Sequence, residues 1–247
     1  AAWDPSAIES PRIAYSTARS VSLPPGWEAI NDLWLLSLPA EGTLATPTRI
    51  VESYPATMGW WGGNYAWSPD GQRIAYAFAD EIGLLNLSET LSAIDANEPA
   101  DVPQPARTVL HTFTAYDSGG DWAWLPALNW SADGRSLTFT AYVAENDRFD
   151  LRQIDTTTGE NTLLVEGVGI WSAVAWSPAA NTQLATLRAT DANAGVDSGY
   201  ALWLADSQDN SGQRHFPPEG ESGDFARATN SLAWGPQGNA LAFIFDD

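Results

Sequence analysis

The sequence predicts an all-β chain of four-stranded antiparallel sheets arranged as the blades of a propeller. Three observations support this prediction: a tryptophan motif recurs five times, further short apolar runs follow each of the first four copies, and one segment alone has a helical pattern. The recurring residues are Trp3, Trp67, Trp130, Trp176 and Trp234. Successive copies stand 46 to 64 residues apart, which is enough for one blade with its loops.

Each recurring tryptophan is predicted to end one strand and to be followed by a tight turn and a second strand. The clearest copy, 66–76, has the letters AWSPDGQRIAY. Proline at the second turn position and glycine at the fourth favour a type I turn. Further copies occupy 129–139, 175–186 and 233–243, and a degenerate one occupies 3–15. The motif therefore predicts an antiparallel hairpin in every unit.

Two further apolar runs complete each blade. The predicted third strands are 32–38, 82–87, 149–154 and 200–205, and the predicted fourth strands are 48–54, 107–114, 161–166 and 214–217. The chain is thus expected to be a single β-propeller domain, 1–247, with units of about 1–55, 56–115, 116–167, 168–220 and a partial 221–247. Small residues at Ala14, Ala75, Ala185 and Ala242 are expected to let blades approach closely. A helical turn is predicted at 89–96, with Ser88 as its N-cap.

The hairpin motif resembles the TolB-like β-propeller repeat, whose hallmark is Trp-Ser-Pro-Asp-Gly followed by an Ile-Ala-Tyr or Leu-Ala-Phe strand. The resemblance covers nearly the whole chain and is strongest at 67–76 and 130–139. It implies repeated four-stranded blades, usually six, in extracellular or periplasmic proteins that bind partners. Similar repeats form the propeller domains of prolyl-oligopeptidase-type peptidases.

The strand count predicts an incomplete ring. The first unit starts almost at the tryptophan that ends its first strand, and the last stops two residues after its second strand. We therefore expect the open blade edges to pair with residues outside this chain or with another chain, because unpaired strand edges invite pairing.

The composition narrows the classes of partner. The chain carries 31 acidic against 11 basic side chains, a formal net charge of −20. Nucleic acids and anionic membrane surfaces attract basic patches, so neither is expected as a partner. No apolar run approaches the roughly 18 residues that span a bilayer. The absence of cysteine removes disulfides and thiol nucleophiles from consideration.

No catalytic residue is assigned from the sequence. A serine hydrolase elbow of the form Gly-x-Ser-x-Gly is missing, and the Asp-Ser-Gly-Gly at 117–120 matches trypsin-like proteases in that segment alone. His111 and His215 fall in two different outer strands, which disfavours a histidine metal centre. No cofactor is expected, apart from calcium, for which Asp191, Asn193 and Asp197 are weak candidate ligands because they place side-chain oxygens at alternate positions of one loop. The alternative interpretation of this loop is a structural turn.

Aromatic residues are the better candidates for a binding site. They lie in the stretches that enter successive innermost strands, which ring one mouth of a propeller channel: Trp60, Trp61, Trp122, Trp124, Trp171 and Phe225. Rigid aromatic faces there could stack on sugars or grip peptides. Packing between blades is the alternative role for the same side chains.

The leading functional hypothesis is therefore a non-catalytic, exported propeller that serves as a scaffold or binding module for a protein or glycan. A first alternative is an accessory propeller domain of a larger peptidase, which would gate a hydrolase domain outside these residues. A second alternative is a glycoside hydrolase with paired carboxylates in the channel.

Overall fold

The computed structural model describes most of the chain. The described residues are 2–6, 11–23, 26–38, 47–51, 64–96, 102–118, 124–178, 183–191, 195–206, 211–221, 224–227 and 231–246. They divide into two compact units, one of 1–112 with 116–125 and the other of 113–115 with 126–247. The expectation of a single domain with five repeat units stays a prediction.

Unit 1 contains two four-stranded antiparallel blades. Blade 1 has the strand order β1 to β4, with β1 Ala2–Trp3, β2 Arg12–Leu23, β3 Gly26–Ser37 and β4 Thr48–Val51. Blade 2 has the order β5 to β8, with β5 Asn64–Trp67, β6 Arg73–Ala77, β7 Glu81–Asn86 and β8 Ala106–Thr112. The helix α1, Ser88–Asp95, connects β7 to β8.

Unit 2 contains two further four-stranded blades and a fifth repeat. Blade 3 has β9 Leu128–Trp130, β10 Ser136–Val143, β11 Arg148–Asp155 and β12 Asn161–Val165. Blade 4 has β13 Val174–Trp176, β14 Leu184–Ala189, β15 Tyr200–Ala205 and β16 Gln213–Phe216. The fifth repeat has β17 Asp224–Phe225 paired with β20 Phe245–Asp246, and β18 Leu232–Trp234 paired with β19 Leu241–Phe243.

The predicted all-β fold of four-stranded antiparallel blades is confirmed, with differences at some element boundaries. The third strand of blade 1 begins at Gly26 rather than at 32, and it pairs along its whole length with β2. The helix begins one residue earlier than predicted, at Ser88, whose hydroxyl donates to the Asn86 side chain instead of capping the helix. Leu91 on this helix is buried in the core of unit 1, as its apolar face requires.

The tight turn of the motif is held by its own serine and aspartate. In blade 2, the Gly71 N–H donates to the Ser68 carbonyl at 2.9 Å, which closes the type I turn. The Ser68 hydroxyl donates to the Asp70 carboxylate, and the Gln72 N–H donates to the same carboxylate oxygen at 3.0 Å. Hydrogen bonding of this kind satisfies polar groups that would otherwise resist burial beside a strand. The same bonds recur in blade 3.

Within each unit, a recurring tryptophan connects a blade to the blade before it. In unit 2, the indole N–H of Trp176 donates to the Thr138 hydroxyl of blade 3 at 2.7 Å. The indole N–H of Trp234 donates to the Ala175 carbonyl of blade 4 at 3.0 Å. In unit 1, Trp67 is buried in one cluster with Ala14 of blade 1. Each of these three indoles thus fills a space beside small or short side chains of the preceding blade.

The small residues that we expected to permit close blade packing differ in their surroundings. Ala14, Ala75 and Ala185 are buried, as expected. Ala242 is exposed, so that expectation is wrong for the fifth repeat. Within the described residues, no helix is both long and apolar enough to span a membrane.

Candidate functional site

One loop of unit 2 holds an aromatic side chain at the surface. The loop joins β12 to β13 and carries Trp171, whose indole is half-buried. Its sequence, EGVGIWSA at 166–173, contains two glycines with positive φ, Gly167 and Gly169, at +65° and +91°. These conformations strain residues with a Cβ, so the glycines allow the chain to fold back tightly beside blades 3 and 4.

Backbone hydrogen bonds fasten this loop on both sides. The Val168 N–H donates to the Phe149 carbonyl of blade 3 at 2.7 Å, and the Val168 carbonyl accepts from the Ala189 N–H of blade 4 at 2.8 Å. The Ser172 hydroxyl donates to the Leu187 carbonyl at 2.6 Å. A loop with so many fixed backbone groups has little freedom left to lose when a ligand binds.

Three further contacts hold Trp171 itself. Its backbone N–H donates to the Tyr200 hydroxyl at 2.8 Å, and its indole N–H donates to the Val196 carbonyl at 3.2 Å. The guanidinium carbon of Arg227 lies 5.6 Å from the centre of the indole ring, which is within cation–π distance. We call the four residues Trp171, Val196, Tyr200 and Arg227 the Trp171 platform.

The Trp171 platform combines apolar and polar groups. Val196 is itself an exposed apolar side chain, and Arg227 is exposed. Burial raises the pKa of Tyr200 to about 12, although the N–H of Trp171 and the charge of Arg227 act in the opposite direction. Tyr200 therefore remains a neutral hydroxyl at physiological pH and can keep accepting the Trp171 N–H. The platform combines an indole, an aliphatic side chain and a cation that lies within cation–π distance of the indole.

The other predicted aromatic residues have different surroundings. Phe225 is only 6% exposed and packs among Phe216, Phe243 and Phe245, with ring centres 5.1 to 6.2 Å away. Trp124, in unit 1, is 3% exposed. Neither ring offers a free face in the described structure, so burial favours the packing role for both. Trp60, Trp61 and Trp122 lie outside the described residues, and their place in a binding site stays a prediction.

A second aromatic and cationic cluster lies in unit 1, where the exposed Arg107 covers the buried Tyr76. Arg107 donates to the Tyr76 hydroxyl at 2.7 Å and to the Glu81 carboxylate, and its guanidinium lies 5.0 Å from the Tyr76 ring centre. Tyr76 is almost fully buried, and its hydroxyl passes over Gly83, where a Cβ would lie only 2.3 Å away. This cluster ties β6, β7 and β8 together and leaves no tyrosine face for a ligand.

The predicted calcium ligands are partly described. Asp191 and Asp197 lie on the connection between β14 and β15, and Asn193 lies outside the described residues. In the part of the chain that the structure describes, no three histidine, aspartate or glutamate side chains are grouped so as to hold a metal ion. The calcium site stays a prediction. His111 and His215 lie in β8 and β16, the fourth strands of blades 2 and 4.

Sequence reasoning named Trp171 as a candidate and did not name the residues that contact it. Val196 lies just before β15, which Tyr200 begins, and Arg227 lies just after β17. Two segments distant from Trp171 in the sequence therefore contact it in the folded chain. The paired glycines at 167 and 169, directly before Trp171, are the one local signal that marks this loop as tightly folded.

The comparisons with known proteins agree with this architecture. No protein-family model matches the chain, and no curated protein sequence matches it. Among solved structures, TolB from Acinetobacter baumannii superposes with a TM-score of 0.59 at 19% identity, over 94% of this chain and 46% of that one. A TolB-type protein from Agrobacterium tumefaciens gives 0.54 at 18% identity, over 96% of this chain and 71% of that one.

An enzyme shares the fold as well. An oligogalacturonate lyase solved with manganese superposes with a TM-score of 0.51 at 14% identity, over 93% of this chain and 66% of that one. This chain is a β-propeller with the fold seen in TolB proteins, so the likeness expected from its Trp-Ser-Pro-Asp-Gly repeats is confirmed at the level of the fold. It spans just under half the length of the Acinetobacter TolB. Because TolB proteins and an enzyme share this fold, function has to be argued from the site.

Proposed function

We propose that this chain is an exported, non-catalytic recognition module that binds a protein or glycan through the Trp171 platform. The observation that carries the proposal is a half-buried tryptophan held at three points, by Tyr200, Val196 and Arg227. Preorganised aromatic side chains dominate binding energy at protein and sugar interfaces because they offer a large face at a low entropic cost. Location outside the cytoplasm rests on the TolB-like resemblance.

The chemistry of the platform suits a ligand with both apolar and polar groups. The indole and the exposed Val196 offer apolar area, while the Arg227 guanidinium can donate hydrogen bonds to hydroxyl, carbonyl or carboxylate oxygens. A sugar ring and an extended peptide both present apolar patches beside such oxygens. The net charge of −20 disfavours highly anionic partners at long range, so we propose a neutral or weakly charged ligand.

The test is a titration that observes the indole directly. Protein with ¹⁵N-labelled tryptophan gives one indole signal for each of its 13 tryptophans, and Trp171→Ala identifies the signal of Trp171. The probes are a panel of neutral oligosaccharides and a panel of proline-rich peptides. We expect at least one probe to shift the Trp171 signal and Trp171→Ala to weaken that binding by about tenfold, the worth of one aromatic stacking contact.

Leu163→Ala is the matched control. It removes another exposed apolar side chain from unit 2, on the outer strand β12 and outside the platform. It should leave the affinity unchanged. Binding that survives Trp171→Ala at full strength, or a panel in which no probe moves the Trp171 signal, would contradict the proposal.

A further inference from the structure

A buried carboxylate contacts the start of the loop that carries Trp171. Asp150, on β11, is 1% exposed, and one of its carboxylate oxygens accepts the Gly167 N–H at 3.0 Å. Gly167 is the second residue of the loop 166–173 and has positive φ. The carboxylate therefore fixes the point at which the chain leaves β12 and turns toward Trp171.

Arg148 holds both this carboxylate and the first residue of the loop. Its guanidinium donates to one oxygen of Asp150 at 3.2 Å, and its Nε atom lies 2.9 Å from the other oxygen. The same guanidinium donates to the two carboxylate oxygens of Glu166 at 3.0 and 3.2 Å. Hydrogen bonds between ionised groups are among the stronger ones in proteins. Asp150 and Arg148 thus join β11 to the first two residues of the loop.

Two other blades carry an acidic residue at the same strand position. The third strand of each four-stranded blade shifts register once against its fourth strand. The second residue before that shift, in blades 1 to 4, is Asp32, Glu81, Asp150 and Ala201. In blades 1 and 2 the carboxylate pairs with an arginine of the fourth strand, Arg49 or Arg107. In blade 3 the arginine lies on the third strand itself, and the carboxylate also bonds the loop.

A blade does not need this carboxylate in order to pack. Ala201 stands at the position in blade 4 and is buried, so a methyl group serves there. A buried ion pair is weak evidence for a stabilising role, because removing two charges from water offsets much of their attraction. The contact that distinguishes Asp150 from Ala201 is its bond to the Gly167 N–H.

We propose that Asp150 is a positioning residue for the Trp171 platform. Its carboxylate fixes the N–H of Gly167, and the loop then places Trp171 where its own N–H reaches the Tyr200 hydroxyl. The inference rests on the proposed function, in which Trp171 contacts the ligand. It adds that a buried charge on β11 preorganises the binding site.

Amide hydrogen exchange of Gly167 and the ¹⁵N indole signal of Trp171 test the proposal on the full chain without a ligand. Asp150→Ala removes a hydrogen bond to a charged group, so it should speed the exchange of Gly167 at least about tenfold and shift the indole signal. Asp150→Asn keeps an oxygen that can accept the Gly167 N–H. It should therefore restore most of the protection and return the indole signal toward that of the wild type.

Asp32→Ala is the matched control. It removes a carboxylate that is 2% exposed from the same strand position of blade 1 in unit 1. Both Asp32→Ala and Asp150→Ala should lower the urea midpoint of unfolding. Asp32→Ala should nevertheless leave the exchange of Gly167 and the indole signal of Trp171 unchanged.

Glu166→Ala tests the network at an exposed residue, so it should fold even if Asp150→Ala does not. It removes the ion pair between Glu166 and Arg148 and leaves Asp150 in place. An exposed ion pair contributes little, so the exchange of Gly167 should rise by about twofold to fivefold. Unchanged exchange in this variant would count against the network.

Two results would overturn the proposal. One is an equal effect of Asp150→Ala and Asp32→Ala on the exchange of Gly167 and on the Trp171 signal. The other is an Asp150→Asn variant that perturbs both as strongly as Asp150→Ala.

A binding measurement links the loop to the platform. Its probe is the oligosaccharide or peptide that shifts the Trp171 signal in the titration above. The dissociation constant should rise about tenfold with Asp150→Ala and stay unchanged with Asp32→Ala. Exchange and the indole signal are measured on the protein alone. A failure of Asp150 to position the loop is therefore distinguishable from a failure of the platform to bind any probe.

Discussion

Replacing Gly169 with alanine should destabilise unit 2 and move Trp171. Gly169 has φ +91°, and a Cβ at this position would lie 2.5 Å from the Tyr200 hydroxyl oxygen and 2.6 Å from the Ala189 Cβ. Real Cβ atoms do not approach other atoms so closely, and the Ala189 Cβ has no rotamer by which to retreat. The loop must shift, and the hydrogen bond from Trp171 to Tyr200 should lengthen or break.

The expected cost has two parts. A residue with a Cβ in the left-handed region costs about 1–2 kcal/mol. Forcing an extra methyl group into a packed site costs about 1–3 kcal/mol more. Gly159 provides a matched control in the same unit, because its φ is +74° and a Cβ there would have no atom within 4 Å. Gly159→Ala therefore incurs the strain alone, and the two variants should differ by about 1–3 kcal/mol.

Urea unfolding followed by circular dichroism measures both free energies of unfolding, and the ¹⁵N indole signal of Trp171 reports the loop. Adding Tyr200→Phe to Gly169→Ala should restore part of the stability, because it removes the closer of the two clashes and leaves Ala189 in place. Equal destabilisation by Gly159→Ala and Gly169→Ala, with an unmoved Trp171 signal, would refute the reasoning.

Three further outcomes are expected. Thr138→Val, which removes the acceptor of the Trp176 indole N–H, should lower the free energy of unfolding by about 1–2 kcal/mol in urea, and Thr162→Val on the exposed face of β12 should not. Hydrogen bonds from Ser131 and from the backbone of Arg135 lower the pKa of Asp133. The melting temperature should therefore fall as the pH drops below about 4. If Asp133→Asn left the pH profile of the melting temperature unchanged, that result would contradict this explanation. Burial raises the pKa of Tyr200 to about 12, so the protein should lose stability between about pH 10 and 12. The variant Tyr200→Phe should lose less stability over that interval. Thermal melts across this pH range measure both losses.

The fold could be predicted because the contacts repeated in each blade depend on residues that lie close together in the sequence. A tryptophan stands at the blade contact, and in blade 2 Ser68, Asp70 and Gly71 close a tight turn directly after Trp67. The turn of the fifth repeat shows that the serine and the aspartate are not required. There the Gly238 N–H donates to the Gly235 carbonyl at 2.9 Å, which is the same backbone hydrogen bond. Such substitutions weaken the sequence signal and leave the hairpin in place.

Strand length was less predictable. The strand β3 begins at Gly26, six residues before its apolar run, because pairing with β2 uses backbone groups that any residue other than proline supplies. The binding site was less predictable still. Phe225 precedes a recurring tryptophan in the sequence, as Trp171 does. Phe225 nevertheless lies in a strand, β17, and pairs with Phe245 of β20, which follows the β18–β19 hairpin along the chain. Spacing along the chain cannot separate a loop aromatic from a strand aromatic.

The recurring tryptophan and the short side chains that it packs against give the repeat a direction. A blade offers an indole on one face and receives one on the other, as blade 4 does when it places Trp176 against Thr138 and accepts Trp234 at Ala175. Duplicating such a blade produces a unit that already fits both of its neighbours, and deleting one brings together two faces that already match. Blade number can therefore change during evolution by whole-repeat gain or loss without the invention of a new interface.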